Sequence, residues 1–241
     1  MATPTQVLTQ LIIADKPCGF IKYGDGEYYA ATQHPGHNCD GTPYSPALGA
    51  KIIESFGYFT TLPHLMLGAW HDSAKVAYWN TLSAVPPNWV DYHTAIIDRL
   101  DSPDKMLLYK AIKESRRHKV YVANAGMQKA TALLNLDVHI TIHPSNWFEI
   151  DYEAILASVC ATISSDGSNA MLLTSAGMGA KPLIADALQR FPGLIVIDIG
   201  SALDTICTKH DTRGFGRVHG IYHDQLCEYL QPLVPQNWNA L

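Results

Sequence analysis

Short apolar runs alternate with amphipathic stretches along most of the chain. The runs predict strands, because each is short, apolar and bounded by polar or glycine-containing segments. They lie at residues 20–23, 65–70, 119–124, 138–142, 170–175 and 194–198. Apolar positions at helical spacing predict helices at residues 4–14, 45–59, 103–116, 126–136 and 152–163. A further helix is predicted from the turn at residues 176–181 to Arg190. Residues 73–100, interrupted by Pro86-Pro87, are ambiguous.

This alternation predicts an α/β fold. Strands separated by helices form parallel sheets with right-handed crossovers. Strands that are apolar throughout are typical of a sheet covered by helices on both faces. We therefore expect a Rossmann-like, three-layer fold with a mostly parallel sheet of about six strands. No repeat or linker interrupts the pattern, so residues 1–241 are predicted to form a single domain, with a loop and a closing helix in 209–241.

Composition excludes several classes of function. The net charge is −5 and the Lys and Arg residues are scattered, which argues against nucleic acid as a partner. The apolar runs are too short to form a transmembrane segment, and the N-terminus lacks the basic and apolar regions of a signal peptide. Five cysteines without CxxC spacing fit reduced thiols, so we expect a cytoplasmic location.

Two carboxylates follow the first predicted strand. Asp25 and Glu27 alternate with Gly24 and Gly26 at the carboxyl end of that strand, where ligands of open α/β sheets bind. Two hard oxygen ligands in this place suit Mn²⁺ or Mg²⁺, which pair a few carboxylates with substrate phosphates. The alternative is a solvated turn, with Asp25 at a helix cap and Glu27 in the first helical turn.

A second glycine-rich turn lies between the strand at 170–175 and the helix that follows. Its backbone N–H groups at a helix N-terminus suit a phosphate. The candidate contacts are Gly177, Met178, Gly179 and Lys181. Asp198 follows about 20 residues later, as the ribose-binding acid does in dinucleotide folds, although Pro182 replaces the third glycine of that motif. The alternative is a turn that only packs the helix on the strand.

Together the two glycine segments resemble a known family. The run from Lys22 to Glu27 is similar to the Arg-Tyr/Phe-Gly-Asp-Gly-Glu signature of the GT-D-type glycosyltransferases. Residues 173–188 resemble the family's second signature, and Ile195 to Gly200 resembles its Ala-Leu-Asp-Ile-Gly strand. The chain departs from the family at Lys22, which replaces an arginine, and at Ser201, which replaces a frequent histidine.

The resemblance implies a metal-dependent transfer of sugar from a nucleoside-diphosphate sugar. In the family, the Asp-x-Glu motif helps to bind a divalent ion that holds the donor diphosphate, so Asp25 and Glu27 are the implied ligands of Mn²⁺ or Mg²⁺. Donor contacts are implied at Lys22, Tyr23 and Gly24. The implied acceptor is a glycan or a glycoconjugate.

Further candidates follow from the predicted strand ends. Asn38 and Asp40 lie in a loop whose short polar groups suit sugar hydroxyls, or they form a solvated turn. Asp72 or His71 could accept a proton from an acceptor hydroxyl, or they are a helix cap and a surface histidine. Asn124 ends the third predicted strand, where it could contact the base or the ribose.

Two other functions stay open at this point. A nucleotide-cofactor enzyme, such as a methyltransferase or dehydrogenase, would use the glycine turn and Asp198 and would leave Asp25 and Glu27 without a role. A non-catalytic module that binds a nucleotide sugar would bind the donor without transfer.

Overall fold

The computed structural model describes residues 2–69, 72–92, 96, 103–143, 145–166, 169–208 and 233–234. Within these residues seven strands form one sheet, and every pairing between neighbours is parallel. The strands are β1 (Cys18–Tyr23), β2 (Leu65–Ala69), β3 (Trp89–Asp91), β4 (His118–Asn124), β5 (Val138–Ile142), β6 (Ala170–Ser175) and β7 (Ile195–Asp198). Their order across the sheet is β3-β2-β1-β7-β6-β4-β5.

Helices connect the strands, as the apolar periodicity predicts. They are α1 (Pro4–Ile13), α2 (Asp25–Ala31), α3 (Pro46–Phe59), α4 (Ser73–Thr81), α5 (Pro103–Glu114), α6 (Lys129–Leu134), α7 (Trp147–Ile150), α8 (Tyr152–Ser165), α9 (Ala180–Arg190) and α10 (Asp204–Thr208). Short 3₁₀ turns at Ala125–Met127 and Gly177–Gly179 precede α6 and α9. Ser45 caps α3, and its hydroxyl accepts a hydrogen bond from the Leu48 N–H at 3.1 Å.

The predicted α/β fold is confirmed, with one strand more than expected. The additional strand, β3, falls in the ambiguous segment, has three residues and pairs with β2 at one edge of the described sheet. The predicted loop and closing helix of 209–241 lie outside the described residues, apart from Leu233 and Val234. No helix among the described residues is long and apolar enough to cross a membrane.

Two apolar clusters lie on opposite faces of the sheet, because alternate side chains of a strand point to opposite faces. One contains side chains from α1, α5, α6 and α10, and the other contains side chains from α2, α3, α8 and α9. The chain therefore leaves β1 and β6 toward one face and leaves β4 and β7 toward the other. Divergence of the chain between neighbouring strands opens a crevice at their carboxyl ends, where α/β proteins bind ligands.

Candidate functional site

A small cavity of about 100 Å³ lies in this crevice. Its walls come from the carboxyl ends of β1, β4, β5 and β6 and from the segments that follow β6 and β7, together with the loop before α3. The lining residues are Lys22, Asp40, Asn124, Ile142, Ser175, Ala176, Gly177, Gly200, Ser201 and Asp204. The wall therefore combines one ammonium group with carboxylate, amide and hydroxyl groups.

The first glycine segment folds directly into α2. Asp25 is the first residue of that helix, so Asp25 and Glu27 lie within one helical turn. The Gly24 N–H donates to the Glu27 Oε2 at 2.8 Å, which folds the Glu27 side chain back over the start of the helix. Residues two apart on a helix do not face each other, so the two carboxylates point in different directions.

Gly26 brings the first turn against the second. A Cβ built on Gly26 would lie 3.0 Å from the Asn38 Oδ1 and 3.1 Å from the Met178 Sδ. A larger residue would require these two side chains to shift by a few tenths of an ångström. Asn38 and Met178, both predicted donor contacts, therefore pack against the first turn. Met178 belongs to the second turn and is 1% exposed.

The second turn needs glycine at two positions for different reasons. Gly177 has a φ of +61°, and a Cβ on it would lie 2.7 Å from the Asp40 Oδ2. A Cβ on Gly179 would lie 2.5 Å from the Trp147 ring, whose Nε1 donates to the Ala176 carbonyl at 3.1 Å. The Gly177 backbone thus lies beside Asp40 at the cavity wall, while Gly179 faces the core.

Lys181 lies beneath both turns and joins them. Its Nζ is 2.5 Å from the Glu27 Oε1 and 2.8 Å from the Asp198 Oδ2, and all three side chains are at most 5% exposed. The Thr174 hydroxyl donates to the Asp198 Oδ1 at 3.3 Å. We call this arrangement of Glu27, Lys181 and Asp198 the buried triad.

The pKa values of Glu27 and Lys181 are shifted by burial and by the charged groups around them. Burial acts to raise the pKa of Glu27, but the Lys181 ammonium, Lys22 and hydrogen bonds from Lys181 and Gly24 outweigh it and lower the pKa to about 2. Burial acts to lower the pKa of Lys181, and the carboxylates of Asp198 and Glu27 raise it above its ordinary value. Glu27 and Lys181 are therefore both charged at neutral pH.

Asp25 has a different partner at the surface. The Lys75 Nζ lies 2.6 Å from the Asp25 Oδ1 and 3.3 Å from the Asp72 Oδ2. The same ammonium lies 5.8 Å from the Tyr28 ring centroid and 5.2 Å from that of Tyr29. Asp25 is 49% exposed in this arrangement.

Asp72 is the N-cap of α4. Its Oδ1 accepts hydrogen bonds from the N–H groups of Ala74 at 3.0 Å and Lys75 at 3.4 Å. A hydrogen bond from the Lys75 side chain lowers the pKa of Asp72, which favours its charged form and weakens it as a proton acceptor. His71, the other predicted base, lies outside the described residues.

The carboxylate pair does not fit a shared divalent ion as it is arranged. Both oxygens of Glu27 already have partners, in Lys181 and Gly24, and its side chain is 5% exposed. Among the described residues, no group of three or more His, Cys, Asp or Glu side chains is arranged to hold a metal ion. Asp25 is the member of the pair that solvent ions can reach. Binding of Mn²⁺ or Mg²⁺ stays a prediction.

Several other predicted contacts lie around the cavity or behind it. Lys22 lines the cavity, and its Nζ is 5.8 Å from the Tyr92 ring centroid. Asn124 also lines it and caps the 3₁₀ turn by accepting from the Gly126 N–H at 2.9 Å. Tyr23 is 3% exposed and packs against Phe56 in the core, so its side chain supports the site from within.

Sequence analysis does not identify Lys75, Ser175 or Ser201 as site residues. Lys75 contacts Asp25 only because β1 and β2 are neighbours, and no motif marks that contact. Ser175 ends β6, Ser201 lies shortly after β7, and both line the cavity. The Ser175 Oγ accepts a hydrogen bond from the Tyr121 hydroxyl at 2.7 Å. Their place at strand ends is the signal that could have identified both serines.

Comparison with known proteins identifies the fold. No protein-family model matches the chain, and no curated protein matches it. A solved structure described as a new glycosyltransferase (DUF1792) from Streptococcus sanguinis is similar over 83% of this chain and 81% of its own, with a TM-score of 0.60 and 18% identity. A second, described as the highly conserved domain of unknown function 1792 with a distinct glycosyltransferase fold, covers 84% of this chain and 83% of its own, with a TM-score of 0.57 and 16% identity.

Proposed function

We propose that the chain is a glycosyltransferase that binds a nucleoside-diphosphate sugar in the crevice and passes the sugar to a glycan-type acceptor. The observation that carries the proposal is the cavity at the carboxyl ends of β1, β4, β6 and β7, lined by Lys22, by short polar side chains and by the glycine turn. The similarity of the fold to solved structures described as glycosyltransferases supports the same class of reaction. A cytoplasmic location belongs to the same proposal.

The chemistry of the cavity suits each part of such a donor. Transfer of the sugar leaves a diphosphate, and a preorganised positive group lowers the energy of the charge that develops on it. Lys22 supplies an ammonium group at the cavity wall, and the turn at Gly177–Gly179 precedes the N-terminus of α9 at the same edge of the sheet. Sugar and ribose hydroxyls need short acceptors and donors, which Asp40, Asn124 and Asp204 provide.

The buried triad argues against a dinucleotide-cofactor enzyme. In that fold an acid at the end of the strand after the glycine turn hydrogen-bonds the ribose. Here Asp198 occupies that position, but it is 1% exposed and its Oδ2 contacts the Lys181 Nζ at 2.8 Å. A ribose would have to displace a buried ion pair, which is costly.

Calorimetric titration with a panel of nucleoside-diphosphate sugars tests the proposal. We expect one donor to bind, and we expect Lys22→Met to weaken its binding by about tenfold, because one phosphate contact is lost. Lys51→Met is the matched control, since Lys51 pairs with Glu54 on the exposed side of α3. Binding of S-adenosylmethionine or a nicotinamide dinucleotide instead of any donor would contradict the proposal. Donor binding without transfer to any acceptor would indicate a binding module.

A further inference from the structure

The two carboxylates of the first motif have separate lysine partners from different parts of the chain. Glu27 contacts Lys181 of α9, which follows β6, and Asp25 contacts Lys75 of α4, which follows β2. Each carboxylate is thus paired with its own ammonium group. The two lysines differ in burial, and this difference decides which contact can be exchanged.

The contact at Glu27 is buried and costly to break. The side chains of Glu27 and Lys181 are 5% and 1% exposed, and Asp198 holds the same ammonium from the other side. Removing one partner of a buried ion pair leaves an uncompensated charge out of water, which is strongly unfavourable. A divalent ion would also have to replace the hydrogen bond from the Gly24 N–H.

The contact at Asp25 is exchangeable. Asp25 is 49% exposed and Lys75 is 18% exposed, so water reaches both sides of the pair. Exposed ion pairs contribute little free energy, because solvent screens them and two long side chains lose freedom. The Lys75 ammonium also has Asp72 and the rings of Tyr28 and Tyr29 as neighbours, so Asp25 is not its only partner.

We propose that Lys75 is a resident counter-ion of Asp25, and that a divalent ion reaches the first motif only at Asp25 and only by displacing Lys75. Lys181 excludes the ion from Glu27 altogether. The proposal rests on the proposed function in one respect, because it takes the crevice as the site of the sugar donor.

The proposal predicts that Lys75 competes with cations. A positive charge a few ångströms from a divalent ion opposes its binding even in a well-solvated site. Removing that charge should therefore strengthen the binding of a divalent ion by about tenfold. The gain should depend on Asp25, because Glu27 stays with Lys181.

Electron paramagnetic resonance of Mn²⁺ alone, titrated into the protein without donor, measures this competition. The variants are Lys75→Met, Asp25→Asn and the double variant, and Lys51→Met is the control for loss of one exposed ion-paired lysine. We expect Lys75→Met to bind Mn²⁺ about tenfold more tightly than the unmodified protein. We expect Lys51→Met to leave the affinity unchanged and the double variant to lose the gain.

Two results would overturn the proposal. One is equal Mn²⁺ affinity in the unmodified protein and Lys75→Met, and the other is a gain that persists after Asp25→Asn. All of the substituted side chains are at least partly exposed, and circular dichroism checks that each variant keeps its fold. Since the probe is Mn²⁺ alone, its outcome is separate from whether the chain binds or transfers a sugar.

Discussion

At Lys181 a single ammonium group contacts two carboxyl groups that lie far apart in the chain. Glu27 belongs to the segment after β1, and Asp198 ends β7. A buried ion pair often contributes little compared with an apolar replacement of all partners, but loss of one partner is severe. The buried triad therefore fixes how the two glycine turns meet.

Lys181→Met tests the residue scale directly. The substitution keeps an unbranched side chain of similar length and leaves two carboxylates buried without a cation. We expect the free energy of unfolding to fall by about 3–5 kcal/mol. Urea denaturation measures the change, with Lys51→Met as the control, for which we expect at most about 0.5 kcal/mol. A loss below about 1 kcal/mol would show that Lys181 is not needed as a counter-ion.

Glu27 also predicts how stability depends on pH. Its pKa is about 2 in the folded protein against an ordinary value of 4.5. The unfolded chain therefore takes up this proton first as pH falls, so the contribution is complete above about pH 4.5 and is lost as pH falls toward about 2. Denaturation at several pH values should show a flatter decline over this interval for Glu27→Gln. An unchanged slope would contradict the ion pair.

The resemblance identifies the residues of the first motif, but the sequence does not show how they divide. Sequence analysis predicts that Asp25 and Glu27 bind one ion together, which requires that the helix begin after both residues. The helix begins at Asp25, so the two side chains diverge. The partners Lys75 and Lys181 come from other strand-helix units, and only the sheet order shows which of these units are neighbours.

At the scale of elements, the two glycine turns are built differently. Gly177 has a φ of +61°, as expected of a tight turn, whereas Gly24 has a φ of −101° and Gly26 lies inside α2. In the first turn, Gly26 permits close packing against Asn38 and Met178 and does not serve a left-handed backbone. Sequence alone identifies both as glycine-rich segments before helices, and it does not distinguish these reasons.

Two alanine substitutions test the left-handed conformation of Gly177. Gly177→Ala should destabilise the protein by about 1–2 kcal/mol, because an L-residue is strained at this φ, and its Cβ would also press on Asp40. Gly57→Ala is the matched control inside α3, where a Cβ meets nothing within 4 Å. There we expect a stabilisation of about 0.5–1 kcal/mol. Thermal denaturation of both variants measures the difference; equal shifts would contradict the assigned turn.

At the scale of the whole molecule, apolar periodicity predicts the sheet well. The apolar runs predict six strands, and the parallel sheet contains all six. β3 was not foreseen, because a three-residue strand after Pro86-Pro87 carries too little pattern. The crevice could be expected only in outline, since it depends on which face of the sheet the chain reaches after each strand.

If the protein transfers sugar, a donor bound in the crevice is consumed and nucleoside diphosphate is released. Phosphorus NMR of the protein with each donor of the panel, with a glycan acceptor and with water alone, measures the release of nucleoside diphosphate. We expect one donor to be consumed, and we expect Lys22→Met to slow its consumption at least tenfold while its melting temperature stays near that of the unmodified protein. Consumption of no donor, or consumption that Lys22→Met leaves unchanged, would contradict the account.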